Sequence, residues 1–263
     1  MESANITSLD YYTAKAMLEW QVEFGVDEAI SEQPVNRFEV KPEPKKAMKP
    51  VAAPAIEAGP APVAPSVDGA ALAREAAVSA QTVAELKTVL SGFEACELKR
   101  GARNLVFEDG VIGSRVMLIG EAPNRDEDRE GKPFVGDMGL LLDNMLKAIG
   151  LGRSENVYVT SAIPWRLPRG GDVGADDLAT LRPFLERHVA LAKPDVLVLM
   201  GNIACQAVLG KRGIARMRGQ WAEAMGLPVI PMLHPEYLLN NSLKKRDAWA
   251  DLLALKAKLE ETT

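Results

Sequence analysis

Four short apolar runs, residues 116–119, 157–160, 196–200 and 229–232, punctuate the second half of the chain. Each is too short for a buried helix, and each reads as a strand covered on both faces. Between and after them lie longer stretches with helical rhythm, at 137–149, 175–192, 202–209 and 247–260. In the first of these, Leu141, Met145 and Ile149 fall at i, i+4 and i+8 on one face, and Gly150 follows as a C-cap. Pro183 interrupts the second, which implies a kink or a later start. An earlier helix is expected from Thr82 as N-cap through Ala84, Leu86 and Leu90 to Gly92. The alternation predicts an α/β fold in three layers: a central parallel four-stranded sheet flanked by helices.

The first third of the chain has a different texture. Residues 1–34 carry a short helical pattern, with Leu9, Ala16, Met17, Trp20, Val22 and Phe24 mixed with charge. Residues 35–80 read as a Pro/Ala-rich flexible linker. Pro42, Pro44, Pro50, Pro54, Pro60, Pro62 and Pro65 fall in a stretch too poor in large apolar side chains to offset its ordering entropy. The globular domain is expected over 81–263. The N-terminal segment is a candidate for docking on that domain or binding a protein partner.

Composition narrows the class. No run of 18 apolar residues is present, and the start of the chain lacks the basic and apolar regions of a secretory signal. A cytoplasmic protein with no membrane partner is expected, as a monomer. Two cysteines, Cys96 and Cys205, cannot form a disulfide framework. The formal net charge of −5 is unevenly distributed: residues 1–95 hold 8 Lys and Arg against 14 Asp and Glu, whereas 96–263 hold 23 against 22. In the latter part basic side chains bunch at Lys211, Arg212, Arg216 and Arg218, and at Lys244, Lys245 and Arg246. Solvated loop charge is one reading of these clusters; contact with a phosphate backbone is the other.

Candidate chemistry gathers after the first strand. Gly120-Glu121-Ala122-Pro123-Asn124 places carboxylates and backbone donors at a strand's C-terminal end, where open α/β sheets bind ligands. Phe134, between Pro133 and Val135-Gly136, is a rigid place for a flat ring. His234 directly follows the last strand run. The other histidine, His188, lies mid-helix and reads as structural. No Gly-Lys-Ser/Thr phosphate loop is present.

The stretch 120–136 resembles motif 1 of the uracil-DNA glycosylase superfamily in its family 4 form. The similarity continues in order through 157–161, Trp165-Arg166-Leu167-Pro168, 199–202, Arg218-Gly219 and His234-Pro235-Glu236-Tyr237-Leu238-Leu239, and covers roughly residues 88–263. The resemblance implies hydrolysis of the bond between uracil and deoxyribose in DNA, leaving an abasic site, with base excision repair as the setting. Such an enzyme turns its nucleotide out of the stack, grips the base and stabilises the departing anion. By the same resemblance Phe134 stacks on the base and His234 donates to a uracil carbonyl oxygen. Glu121 orients water, with Glu127 or Asp128 as alternatives or as helix N-terminal charges. Ala122, Pro123, Asn124 and Ser161 line the base site. Leu238 and Leu239 wedge into the vacated stack, and Arg218 and Lys244 meet phosphates.

Three features depart from the family pattern. Asn124 stands where Gly is usual. Ser161 stands where an Asn reads the uracil edge; the loss of a bidentate contact costs on the order of 1–3 kcal/mol of discrimination. The family's [4Fe–4S] cluster needs about four thiolates, but Cys96 alone matches a ligand, with Phe93, Trp165 and the helix near Leu181 at the other positions. No cofactor and no metal are therefore expected, with aromatic packing in the cluster's place. Two other readings stay open: a DNA-binding or regulatory protein that keeps the fold without turnover, and a hydrolase of free nucleosides.

Overall fold

The structure, a computed structural model, describes residue 15, residues 69–168 and residues 172–261. Apart from residue 15, the helix expected within 1–34 lies outside the described residues, and so does the linker up to residue 68. The sheet and its helices lie among the described residues from 69 onward.

Six strands form one sheet: β1 (Glu108–Gly110), β2 (Val116–Gly120), β3 (Val157–Ser161), β4 (Val196–Met200), β5 (Ala222–Ala224) and β6 (Leu227–Met232), in the order β1-β3-β2-β4-β6-β5. The expected four-stranded parallel sheet is the centre, β3-β2-β4-β6, with Gly120 beside Ser161 and Met200 beside Met232. Two short antiparallel strands, β1 against β3 and β5 against β6, border it. Neither carries an apolar run, and for that reason neither was legible as a strand.

The helices are α1 (Gly69–Ser79), α2 (Val83–Gly92), α3 (Arg125–Glu130), α4 (Gly136–Lys147), α5 (Ala175–Ala192), α6 (Asn202–Leu209), α7 (Ile214–Met217), α8 (Pro235–Asn240) and α9 (Lys245–Glu261). Thr82 caps α2 as expected, accepting from the Glu85 N–H at 3.2 Å. Helix α5 starts at Ala175 and runs past Pro183, so a later start is excluded.

Helix α1 corrects the linker's end at residue 80. Its alanines look like linker sequence, yet alanine is the strongest helix former. Ala73 and Ala77 are buried in the core, and Arg187 of α5 donates to the Ala80 carbonyl through Nε at 2.9 Å and Nη2 at 2.7 Å.

Strand alternation separates two apolar clusters, one on each face of the sheet. Met117, Ile119, Tyr158, Leu197 and Leu199 pack with α1, α2, α5 and α6. Val116, Leu118, Val157, Val159, Val198, Ile230 and Met232 pack with α4, α8 and α9. The connection after β2 leads to β3 on one side, and that after β4 leads to β6 on the other. The carboxyl ends of β2 and β4 therefore flank the switch point, where a crevice opens in sheets of this kind.

Candidate active site at the carboxyl edge of the sheet

Three strand ends build the site. β2 ends at Gly120, β3 at Ser161, and β6 delivers His234 two residues past Met232. The rings of Phe134 and His234 stack with centroids 5.4 Å apart and planes 28° from parallel. Residues 100 apart in sequence thus meet at one corner. Gly120 makes this possible: a Cβ there would lie 2.7 Å from Phe134 Cζ. Phe134 is only 1% exposed. Its φ of +52° lies in the left-handed region, which bulky side chains avoid at a cost of roughly 1–3 kcal/mol.

His234 is the N-cap of α8, its Nδ1 accepting from the Glu236 N–H at 3.4 Å. An accepting Nδ1 places the ring proton on Nε2, so the other nitrogen is a donor. Burial holds the imidazole neutral by pushing its pKa down to about 4. Ser161, paired with Gly120 across the ladder, shares the alternation of Val157 and Val159 and so belongs to the Phe134 face.

Glu121 takes a different partner. Its Oε1 accepts from the Ile203 N–H at 2.8 Å, at the start of α6. Gly201, with φ +100°, leaves space for it, since a Cβ there would lie 2.4 Å from the carboxyl. Burial raises the Glu121 pKa, and the N–H groups of Ile203 and Asn202 oppose that rise. The carboxylate thus sits at the switch point on a helix N-terminus, a favourable place for a negative charge.

The loop after Glu121 is organised by α3. Asn124 caps it, with Oδ1 accepting from Asp126 N–H at 2.9 Å and Glu127 N–H at 3.0 Å. Glu127 returns the contact through Oε2 to the Asn124 N–H at 2.8 Å, and its Oε1 takes the Phe134 N–H at 2.5 Å. Burial raises the Glu127 pKa against these two donors. Asp128 accepts from Arg103 N–H at 2.8 Å, Asn104 N–H at 3.2 Å and Arg166 Nε at 3.2 Å. Both carboxylates are buried parts of the scaffold, which favours the helix N-terminal alternative for them. Of the three base-site residues here, Pro123 has no N–H and that of Asn124 is engaged. Ala122 keeps its N–H without a partner among the described residues, and Asn124 keeps its Nδ2.

Two assignments are corrected. Leu238 is fully buried in the α4, α8 and α9 cluster and cannot wedge into DNA; its neighbour Leu239 is 42% exposed. Helix geometry decides this, since consecutive residues face different sides. Arg218 is not a free phosphate ligand: Nε and Nη2 grip Asp251 at 2.9 and 2.6 Å, and Nη2 also reaches the Asp247 carbonyl. Lys244 remains on the surface, paired with Asp247 at 3.0 Å. Two exposed apolar side chains near Leu239, Tyr237 and Leu243, were missed. The motif contained Tyr237, but nothing in the sequence marked Leu243.

The positions that the resemblance assigns to an iron–sulfur cluster are apolar apart from Cys96. Phe93, Cys96, Trp165 and Leu181 all lie in one apolar cluster, and Phe93 meets Phe184 edge to face at 5.0 Å. Burial raises the pKa of the one thiol, Cys96, which disfavours the thiolate a metal requires. Among the described residues no group of three or more His, Cys, Asp or Glu is placed to hold a metal ion. Cys205 is buried as well, its pKa pushed up to about 12. No helix among the described residues is long and apolar enough to cross a membrane.

Residues 107–253 match the Uracil DNA glycosylase superfamily. A type-4 uracil-DNA glycosylase of Thermotoga maritima is 35% identical over 150 residues, which is 56% of this chain and 78% of that protein. One from Archaeoglobus fulgidus is 34% identical over 153 residues, 55% of this chain and 76% of the relative. A DNA polymerase of Bacillus phage SP01 is 26% identical over 154 residues, 59% of this chain but 17% of that protein.

Proposed function

The chain belongs to the uracil-DNA glycosylase superfamily, and from that premise we propose that it hydrolyses the N-glycosidic bond of uracil in DNA at the carboxyl edge of its sheet. The single observation that carries the reading is the Phe134–His234 contact beside the strand ends.

An everted uracil stacks against Phe134. The two rings already touch, and a base between them would need about 7 Å, twice a van der Waals spacing. The base therefore displaces the His234 side of the corner rather than sliding into a standing slot. His234 Nε2–H donates to the carbonyl oxygen that gains negative charge as the bond to the sugar lengthens. A neutral donor serves this role without carrying a proton away. Water, placed by the free acceptor capacity of Glu121, supplies hydroxide to the sugar carbon, and its proton ends on the uracil anion. Ala122 N–H, Asn124 Nδ2 and the Ser161 hydroxyl meet the base edge. Leu239 fills the vacated stack, and Lys244 meets the DNA backbone. With one cysteine, Cys96, at the four positions the resemblance assigns to an iron–sulfur cluster, this reading routes no step through one.

The test uses single- and double-stranded oligonucleotides carrying one uracil, followed by alkali. Strand scission at the uracil position is expected. Salt-dependent DNA binding with no scission would mark a protein that keeps the fold without turnover. Release of bases from free nucleosides alone would mark a small-molecule hydrolase.

A further inference from the structure

We infer that Arg153 is a positioning residue for base stacking: it clamps the main chain of Phe134 in the left-handed conformation that aims the ring at His234. The inference rests on the glycosylase reading for its consequence, not for its geometry.

A phenylalanine at φ +52° stays there only if its surroundings hold both of its peptide groups. Glu127 holds the N–H at 2.5 Å. Arg153 holds the other side: Nη1 donates to the Phe134 carbonyl at 3.0 Å and lies 3.4 Å from that of Pro133. The carbonyl is pressed into α4, where only a glycine fits, since a Cβ on Gly139 would lie 2.1 Å from it.

Arg153 is itself fixed. Its Nε and Nη2 engage both oxygens of Asp143 on α4, each at 2.7 Å, and Nη1 reaches Asp109 on the border strand β1 at 3.1 Å. One planar fork thus ties α4, β1 and the 133–134 turn together. An ammonium group cannot do this, because it lacks the parallel donor pair. The border strand gains a purpose here: it carries Asp109 to the outer side of the clamp. Arg153, Asp109 and Asp143 also line a cavity of about 800 Å³ open to solvent, so small solutes can reach the guanidinium position.

The decisive experiment is a double-mutant cycle. Arg153→Ala and Arg153→Lys are each made alone and together with Phe134→Leu, and single-turnover cleavage of a uracil oligonucleotide is measured. Arg153→Ala is expected to slow cleavage about tenfold or more, as misplacement of a contact group by an ångström does. Millimolar guanidinium should restore much of that rate, and Arg153→Lys should recover little of it. In the Phe134→Leu background, loss of Arg153 should change the rate less than about twofold, because the two act through one contact. A readout independent of catalysis is the carbon-13 shifts of the Phe134 backbone, which should move from left-handed to extended values in both Arg153 variants. Where Arg153→Ala does not fold, Arg153→Lys supplies the same measurements. Unmoved Phe134 shifts, or an equal rate loss in both backgrounds, would overturn the clamp. A wild-type chain that leaves uracil DNA intact while the shifts still move would sink the glycosylase reading and leave the clamp standing.

Discussion

The carboxyl edge of the sheet and the corner holding Phe93, Cys96, Trp165 and Leu181 are built on opposite principles. At the edge, polar groups are bound one by one: Glu121 at the start of α6, Glu127 on Phe134, His234 on Glu236. The backbone there adopts conformations of low intrinsic stability, at Phe134 and Gly201. The corner has a single thiol and is filled by apolar side chains in ordinary packing. The edge spends stability on aim; the corner supplies stability by burial. The resemblance to family 4 assigns four thiolates to the corner where this chain has one, and the edge and the corner are held by different forces.

The comparison can be broken by substitution at either place. Trp165→Ala should cost the most stability, about 3–5 kcal/mol, because it empties buried volume in the corner. Chemical denaturation measures this, and uracil cleavage by the folded fraction should be little changed. If that variant loses activity while staying folded, the two regions are coupled. His234→Gln should do the reverse, slowing cleavage by about 10²–10³-fold, the usual loss for one oxyanion donor, with a small change in melting temperature.

Acid should act through both histidines. Burial depresses His188 to about 3 and His234 to about 4, from an ordinary 6.5. The unfolded chain therefore binds protons first as the pH falls. The contribution of both groups is whole above about pH 6.5 and is lost on the way down toward pH 4 and 3. Melting temperature against pH should show this loss, on the order of a few kcal/mol, while the cleavage rate shows no step near pH 6.5 from His234.

A smaller effect is expected at Ser161. Ser161→Asn should raise single-turnover cleavage of uracil by up to about tenfold, the value of a recovered base contact. An unchanged or lower rate would show that Ser161 belongs to a differently shaped pocket. Smallest of all, the purified protein should show no absorbance near ~400 nm and no stoichiometric iron, for want of thiolates. Bound iron in that amount would mean that the corner is not closed by packing.

Much of the fold was legible because burial writes itself into apolar periodicity. The helices 175–192 and 202–209 appear with the bounds their rhythm implied. The strands at 116, 157 and 196 start where their apolar runs start. Strands β1 and β5 were illegible because their partners, not their own side chains, make them strands. Helix α1 was illegible because alanine serves both linkers and close helix packing. The site divided in the same way. Phe134 and His234 were identified by motif, and the structure brings them together. Leu238 and Arg218 were assigned by proximity in the motif, and tertiary contacts turned one into the core and the other onto Asp251.

What the sequence determined by itself was the α/β architecture, the family and the residues gathered at one edge, since local propensity and hydrophobic period are properties of neighbouring residues. What only the tertiary structure decided was which polar groups remain free to act. A carboxylate or guanidinium reads the same along the chain whether it faces a ligand or another part of the protein. Its partner is chosen by distances between residues far apart in sequence, as the 19-residue gap between Arg153 and the Phe134 carbonyl shows.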